Sequence, residues 1–114
     1  MSNDVPWASG LPFAITVTDA DGVIVEMNPA AVSTFQKSGG AALVGQQVRA
    51  CHPPAARERL ERLYETKQPN HYTIRKSGQR KIIHQLPWYQ DGEFAGLIEI
   101  SVPIPDDLPH FERE

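Results

Sequence analysis

Ile15-Thr16-Val17-Thr18-Asp19-Ala20-Asp21-Gly22-Val23-Ile24, continued by Val25-Glu26-Met27-Asn28-Pro29-Ala30-Ala31, is the stretch on which the fold turns. From Phe13 to Thr18 apolar Phe13, Ile15 and Val17 alternate with small or hydroxylated residues, the period-two pattern of a half-buried strand. Asp21-Gly22 then separates that run from a second one, Val23 to Met27, and glycine's freedom at positive φ makes this a hairpin signal. Asn28-Pro29 changes the instruction from strand to helix. Asparagine is a favoured N-cap and proline is tolerated in the first helical turn, while Ala30, Ala31 and Phe35 supply an apolar face.

Working outward, Gly39-Gly40 ends the short helix, and the stretch from Ala41 to Ala50 reads as one or two small helical turns. Pro53-Pro54 opens the longest helix, through about Lys67, with Ala56, Leu60, Leu63 and Tyr64 on one stripe. Arg57–Glu61 and Glu58–Arg62 are spaced to pair across its solvated face. Strands follow at His71–Arg75, Arg80–Tyr89 and Phe94–Ile104, divided by turns at Ser77-Gly78 and Asp91-Gly92. Pro103, Pro105 and Pro109 are expected to stop the last one. Strands, then helices, then three antiparallel strands predict an α+β fold: a five-stranded antiparallel sheet with short helices and one longer helix on one face. Residues 1–10 read as an extended N-terminal arm, 11–105 as the domain, and 106–114 as an acidic tail that Leu108 and Phe111 could tether.

Composition narrows the function classes. A chain of 114 residues supports one core. Lys plus Arg number 11 against 14 Asp plus Glu, for a net charge of −3, and no basic run is present, which argues against nucleic-acid or anionic-membrane partners. Cys51 is the single cysteine and suits a reducing compartment; no signal peptide or spanning segment is evident, so a soluble cytoplasmic protein is expected.

The Asp-x-x-Gly hairpin at Asp19–Gly22 and the helix start Asn28-Pro29-Ala30 resemble the opening of a PAS domain. Leu43-Val44-Gly45, the Gly78 turn and Asp91-Gly92-Glu93-Phe94-Ala95-Gly96 fall where that family carries its further glycine motifs. The likeness runs from about Leu11 to Ile104, and Cys51-His52-Pro53-Pro54 is similar to a bacterial PAS subset with Cys-His-Pro before the long helix. The resemblance implies a sensory or signalling module with a ligand cavity between helices and sheet. It also implies association through the outer sheet face plus an N-terminal segment, here Val5-Pro6-Trp7, hence a homodimer or a signalling protein partner. Where output-coupled PAS modules often end in Asp-Ile-Thr, this chain reads Ser101-Val102-Pro103, so output is expected through a partner unless the chain is part of a longer protein.

The cavity candidates are Phe35, Cys51, His52, Leu60, Tyr72, His84, Leu86 and Trp88. His84 shares a strand face with Ile82, Leu86 and Trp88, more apolar than the face of Lys81, Ile83, Gln85 and Pro87, and is therefore expected to point into the core or pocket. Glu99 is expected on the outer face, solvated or at a dimer contact; turned inward it would anchor a ligand. Cys51 and His52 are adjacent and would point to opposite sides, which suits packing or pocket lining better than a nucleophile and its base, or a metal site. Flavin photochemistry is not supported, because the Gly-x-Asn-Cys-Arg-Phe-Leu-Gln stretch of light-sensing relatives is missing around Cys51. Haem is a weak reading: haem-binding relatives carry their histidine on the long helix, which has none here, although His52 and His71 flank it. No Ser-His-Asp set, phosphate loop or carboxylate pair stands out, so no enzyme is expected. The competing readings are thus a ligand-binding sensor, a ligand-free dimerisation adaptor and, least supported, a small Cys/His enzyme.

Overall fold

The computed structural model describes residues 5–114; residues 1–4 of the expected arm lie outside the described residues. The strands are β1 (Ala14–Thr18), β2 (Ile24–Met27), β3 (Asn70–Lys76), β4 (Gln79–Gln90) and β5 (Glu93–Ile104). They form one antiparallel sheet in the order β2-β1-β5-β4-β3. The helices are α1 (Pro6–Ser9), α2 (Pro29–Thr34) and α3 (Pro54–Thr66), with 3₁₀ turns at Gln36–Ser38, Gly40–Leu43 and Val48–Cys51. Among the described residues no helix is long and apolar enough to cross a membrane. The β3–β4 and β4–β5 turns have both central residues at positive φ, Ser77-Gly78 and Asp91-Gly92, the geometry whose twist matches flanking strands.

Two local expectations need correction, and the last strand runs as far as expected. Residues 6–9 are helical, not extended: Pro6 opens α1, and the Asn28 amide donates to the Ala8 carbonyl and fixes it. β5 ends at Ile104 as expected, just before Pro105, and it includes Pro103 paired with Lys81, where β1 has already ended opposite Ser101 and the missing N–H costs nothing. Glu61 is bound by Arg49 at 2.8 Å instead of Arg57, whose guanidinium donates to the His52 carbonyl. Arg49 also donates to the Asp21 carbonyl at 2.8 Å and lies 4.6 Å over the Tyr64 ring, so one side chain joins the β1–β2 turn, the last 3₁₀ turn and α3. The tail is held by the Arg75–Asp106 pair, while Leu108 and Phe111 are exposed.

The core is thin. Leu60 and Tyr64 from α3 meet Leu97 of β5, with Val48, Leu63 and Phe94 packed around them. Thr18 and Tyr64 share a hydroxyl–hydroxyl hydrogen bond, and the Leu97 N–H donates to the same threonine oxygen. Burial pushes the Tyr64 phenol above its usual value near 10, more than the Thr18 bond and Arg49 pull it down. An unfolded chain therefore releases this proton first as pH rises, so the Tyr64 contribution is present below about pH 10 and is lost above it. Urea unfolding from pH 8 to 11 should show stability falling beyond pH 10, and Tyr64→Phe should flatten that fall while costing about 1 kcal/mol at neutral pH. An identical alkaline profile in both proteins would remove Tyr64 from the account.

Candidate functional site

Strand register builds a polar row on the sheet face that looks at the helices. Asn70 of β3 sits opposite Gln85 of β4, Gln85 opposite Glu99 of β5, and Glu99 opposite Thr16 of β1. The side chains are linked in one direction: the Asn70 amide donates to Gln85 Oε1 at 2.8 Å, and the Gln85 amide donates to Glu99 Oε1 at 3.0 Å. A carboxylate only accepts, so Gln85 must offer it the NH₂ end, which turns the Gln85 oxygen to Asn70.

Above this row lie three adjoining hollows with His52 in the wall of each. One of about 350 Å³ opens between α3 and β3–β4, bounded by Ala56, Arg59, Leu60, Leu63, Tyr72 and the polar pair Asn70–Gln85. A second of about 160 Å³ lies under α2 and the 3₁₀ turns, walled by Met27, Phe35, Leu43, Val48 and Cys51 with Glu99 on its floor. A neck of about 40 Å³ between them also touches Gln85 and Glu99. His52 Nδ1 is 2.7 Å from the Val48 carbonyl, which can only accept, so the ring proton sits on Nδ1 and the neutral imidazole keeps an acceptor lone pair at Nε2. Tyr72 is raised above its ordinary value, first by burial and then by the Glu99 carboxylate, against the opposing pull of Arg59.

Of the sequence candidates, the structure brings Phe35, Cys51, His52, Leu60 and Tyr72 to the walls of these hollows. It places His84, Leu86 and Trp88 on the opposite face of the sheet. Gln85 faces the helices, and its strand neighbours therefore face away. The expectation that the more apolar face is the inner one fails because here the helix side carries the polar row, and Ile83 beside it is the buried isoleucine. His84 hydrogen-bonds His71 across the hairpin, Nδ1 to Nδ1 at 2.8 Å, and the Trp88 indole donates to the Thr18 carbonyl. Glu99, expected outward, is inward. His71, one of the two histidines flanking the long helix, is likewise on the far face, opposite His84.

Asn70 and Gln85 went unselected in the sequence because neither is remarkable alone; the Ser77-Gly78 turn, which sets their pairing, was the signal available. The chemistry on offer is recognition. Cys51 is exposed with its thiol toward the Gln47 carbonyl at 3.9 Å, and the His52 proton goes to Val48, so the two form no nucleophile–base pair. Among the described residues no three His, Cys, Asp or Glu side chains gather as a metal site. A separate groove of about 590 Å³ lies between α1, α2 and β1–β2, with Glu26 and Gln36 in its wall; the Asn28 amide there is spent entirely on backbone groups.

A family model described as PAS fold matches residues 8–106. Among solved structures, the chain is similar to the PAS domain of BvgS from Bordetella pertussis, at 21% identity and TM-score 0.64, covering 90% of this chain and 84% of that one. The PAS domain of a Colwellia psychrerythraea protein gives 23% identity and TM-score 0.63, over 87% and 92%. The Aer2 receptor of Vibrio cholerae, described as a dual PAS-heme oxygen sensor, gives 21% and 0.60, over 82% and 95%. Identities this low speak for the fold alone. A search of curated proteins finds no match.

Proposed function

Because this chain belongs to the PAS family, whose members are sensory and signalling modules, we propose that it is a sensor whose helix–sheet hollows hold a small molecule and whose outer sheet face reports occupancy to a second copy of the chain. The observation that carries the reading is the Asn70–Gln85–Glu99 row beneath the helices. A core built for packing alone gains nothing from a carboxylate there, whereas ligand pockets combine apolar walls with a few placed polar groups. The outer face supports the second half. By strand alternation Ile15, Val17, Ile82, Leu86, Ile98, Ile100 and Val102 form an apolar strip along it, flanked by Glu26 on β2 and by Arg75 and Arg80 at the far end of β3 and β4, and an apolar strip with a charged margin suits burial against a second copy. A ligand that shifts the β5 floor would bias how that face packs, because inner Glu99 and outer Ile98 and Ile100 alternate along one strand. The free, exposed Cys51 suits the cytoplasm.

Haem does not fit this donor set. His52 Nε2 could serve as a ligand atom, but the macrocycle would have to lie against the Glu99 carboxylate and the Gln85 amide and strip them of water without replacing it.

Native mass spectrometry of freshly purified protein, compared with its denatured mass, tests the reading. The expected result is extra mass that is lost on denaturation, together with a two-chain species. His84→Ala, on the outer face, should keep that extra mass unchanged. Ala56→Phe, which fills the larger hollow from α3, should lose it. A bare dimer would replace the sensor with a ligand-free adaptor.

A further inference from the structure

We propose that the molecule held in these hollows is a small cation with N–H donors, a primary ammonium or an amidinium on an apolar body. This rests on the chamber reading above and names the class of its ligand. The direction of the polar row is the argument. Asn70 donates to Gln85 and Gln85 donates to Glu99, so the row spends its N–H groups in pointing toward one carboxylate. Oε1 of Glu99 is taken by Gln85, and Oε2 takes no side-chain hydrogen bond among the described residues. His52 adds a second acceptor, since its Nδ1 proton is committed to Val48 and Nε2 is left with a lone pair. Around Glu99 the open groups are thus two obligate acceptors, Glu99 Oε2 and His52 Nε2, beside the Thr16 and Ser38 hydroxyls, which can accept as well as donate, and a donor-bearing guest satisfies all of them.

Charge points the same way. No Lys or Arg lines either hollow that Glu99 touches, and none of the ion pairs among the described residues reaches it. Arg59 belongs to the outer hollow beside Tyr72. Glu99 is half-buried beside Met27, Phe35, Leu43 and Val48 with no cation among its neighbours in these hollows, and a bound ammonium would supply a charge partner and further donors. An anionic guest would meet Glu99 with like charge.

Three probes on one skeleton separate the possibilities: phenethylamine, 2-phenylethanol and phenylacetate, titrated by calorimetry into the full chain. Phenethylamine should bind at least ten-fold more tightly than the alcohol, with phenylacetate weakest. Glu99→Gln, which keeps shape and removes charge, should erase the amine preference while leaving the alcohol affinity within about two-fold; Glu99→Asp should retain the preference. Equal binding of amine and alcohol, tighter binding of phenylacetate, or an unchanged preference in Glu99→Gln would overturn the cation assignment and leave the chamber standing. If none of the three binds and native mass spectrometry shows the bare chain, the chamber reading fails and this inference with it. The wild-type ranking alone decides the question should Glu99→Gln not fold.

Discussion

Asn28→Ala should cost the domain about 3–5 kcal/mol, a large share of the roughly 5–15 kcal/mol by which such domains are stable. Asn28 is 7% exposed and makes four hydrogen bonds through one amide. Its Oδ1 accepts from Ile15 N–H at 2.9 Å and from Ala31 N–H at 3.0 Å; its Nδ2 donates to the Phe13 carbonyl at 2.8 Å and the Ala8 carbonyl at 3.1 Å. The Asn28 backbone N–H also donates to the Ile15 carbonyl, so the side chain completes a ladder rung that β2 no longer supplies. Alanine removes the N-cap of α2, worth about 1 kcal/mol, and strands the Ile15 N–H and two carbonyls in a partly buried site at about 1–3 kcal/mol for each that finds no water. Asn28→Asp keeps both acceptances but turns a carboxylate toward two carbonyl oxygens, and should be nearly as damaging. Urea denaturation measures both; a loss under 1 kcal/mol for Asn28→Ala would mean that water replaces the amide freely and that this junction does not hold α1, β1 and α2 together.

That junction was half legible. Asn28-Pro29 announced the cap, because capping is a local transaction between a side chain and the next turn. The ties to Ala8 and Phe13 join residues far apart in the chain, and no spacing rule predicts them. The same division runs through the site. Both hairpins could be read from Ser77-Gly78 and Asp91-Gly92, and the first of them implies that Asn70 meets Gln85 and His71 meets His84. What failed was the choice of face. Ile82, His84, Leu86 and Trp88 outscore Lys81, Ile83, Gln85 and Pro87 in apolarity, and the rule that the apolar face turns inward assumes one face is solvated and the other packed. In this chain the inner face holds a polar floor and the outer face is the more apolar one, so the rule inverted His84 and Glu99 together. The inversion is informative: the position where pattern and structure disagree is the polar floor on which the proposed ligand site rests.

Gly96→Ala should be more damaging still, for a reason that lies in backbone contact. Gly96 is in β5 with φ at 142°, and a Cβ built there would run into the Thr18 carbonyl oxygen and the Asp19 carbonyl carbon of the neighbouring strand end. Neither obstacle is a side chain that can swing aside, so the end of β1 must move away from β5. Thr18 moves with it, and Thr18 is where the Tyr64 hydroxyl, the Leu97 N–H and the Trp88 indole all converge. One methyl group would thus open the bonds between sheet and α3 on one side and release Trp88, which lies opposite Gly96, on the other. A loss above about 4 kcal/mol is expected, visible as a collapsed urea midpoint and a red-shifted Trp88 emission. Gly45→Ala isolates the clash: Gly45 also has positive φ, 95°, but a Cβ there meets nothing within 4 Å. It should cost only the backbone strain of about 1–2 kcal/mol. If the two variants lose equal stability, the close approach of β5 to Thr18 contributes nothing and the register at this end of the sheet must be redrawn. If Gly96→Ala alone collapses, the tight crossing is what lets α3 and its Tyr64 sit on the sheet and leave the hollows beside it.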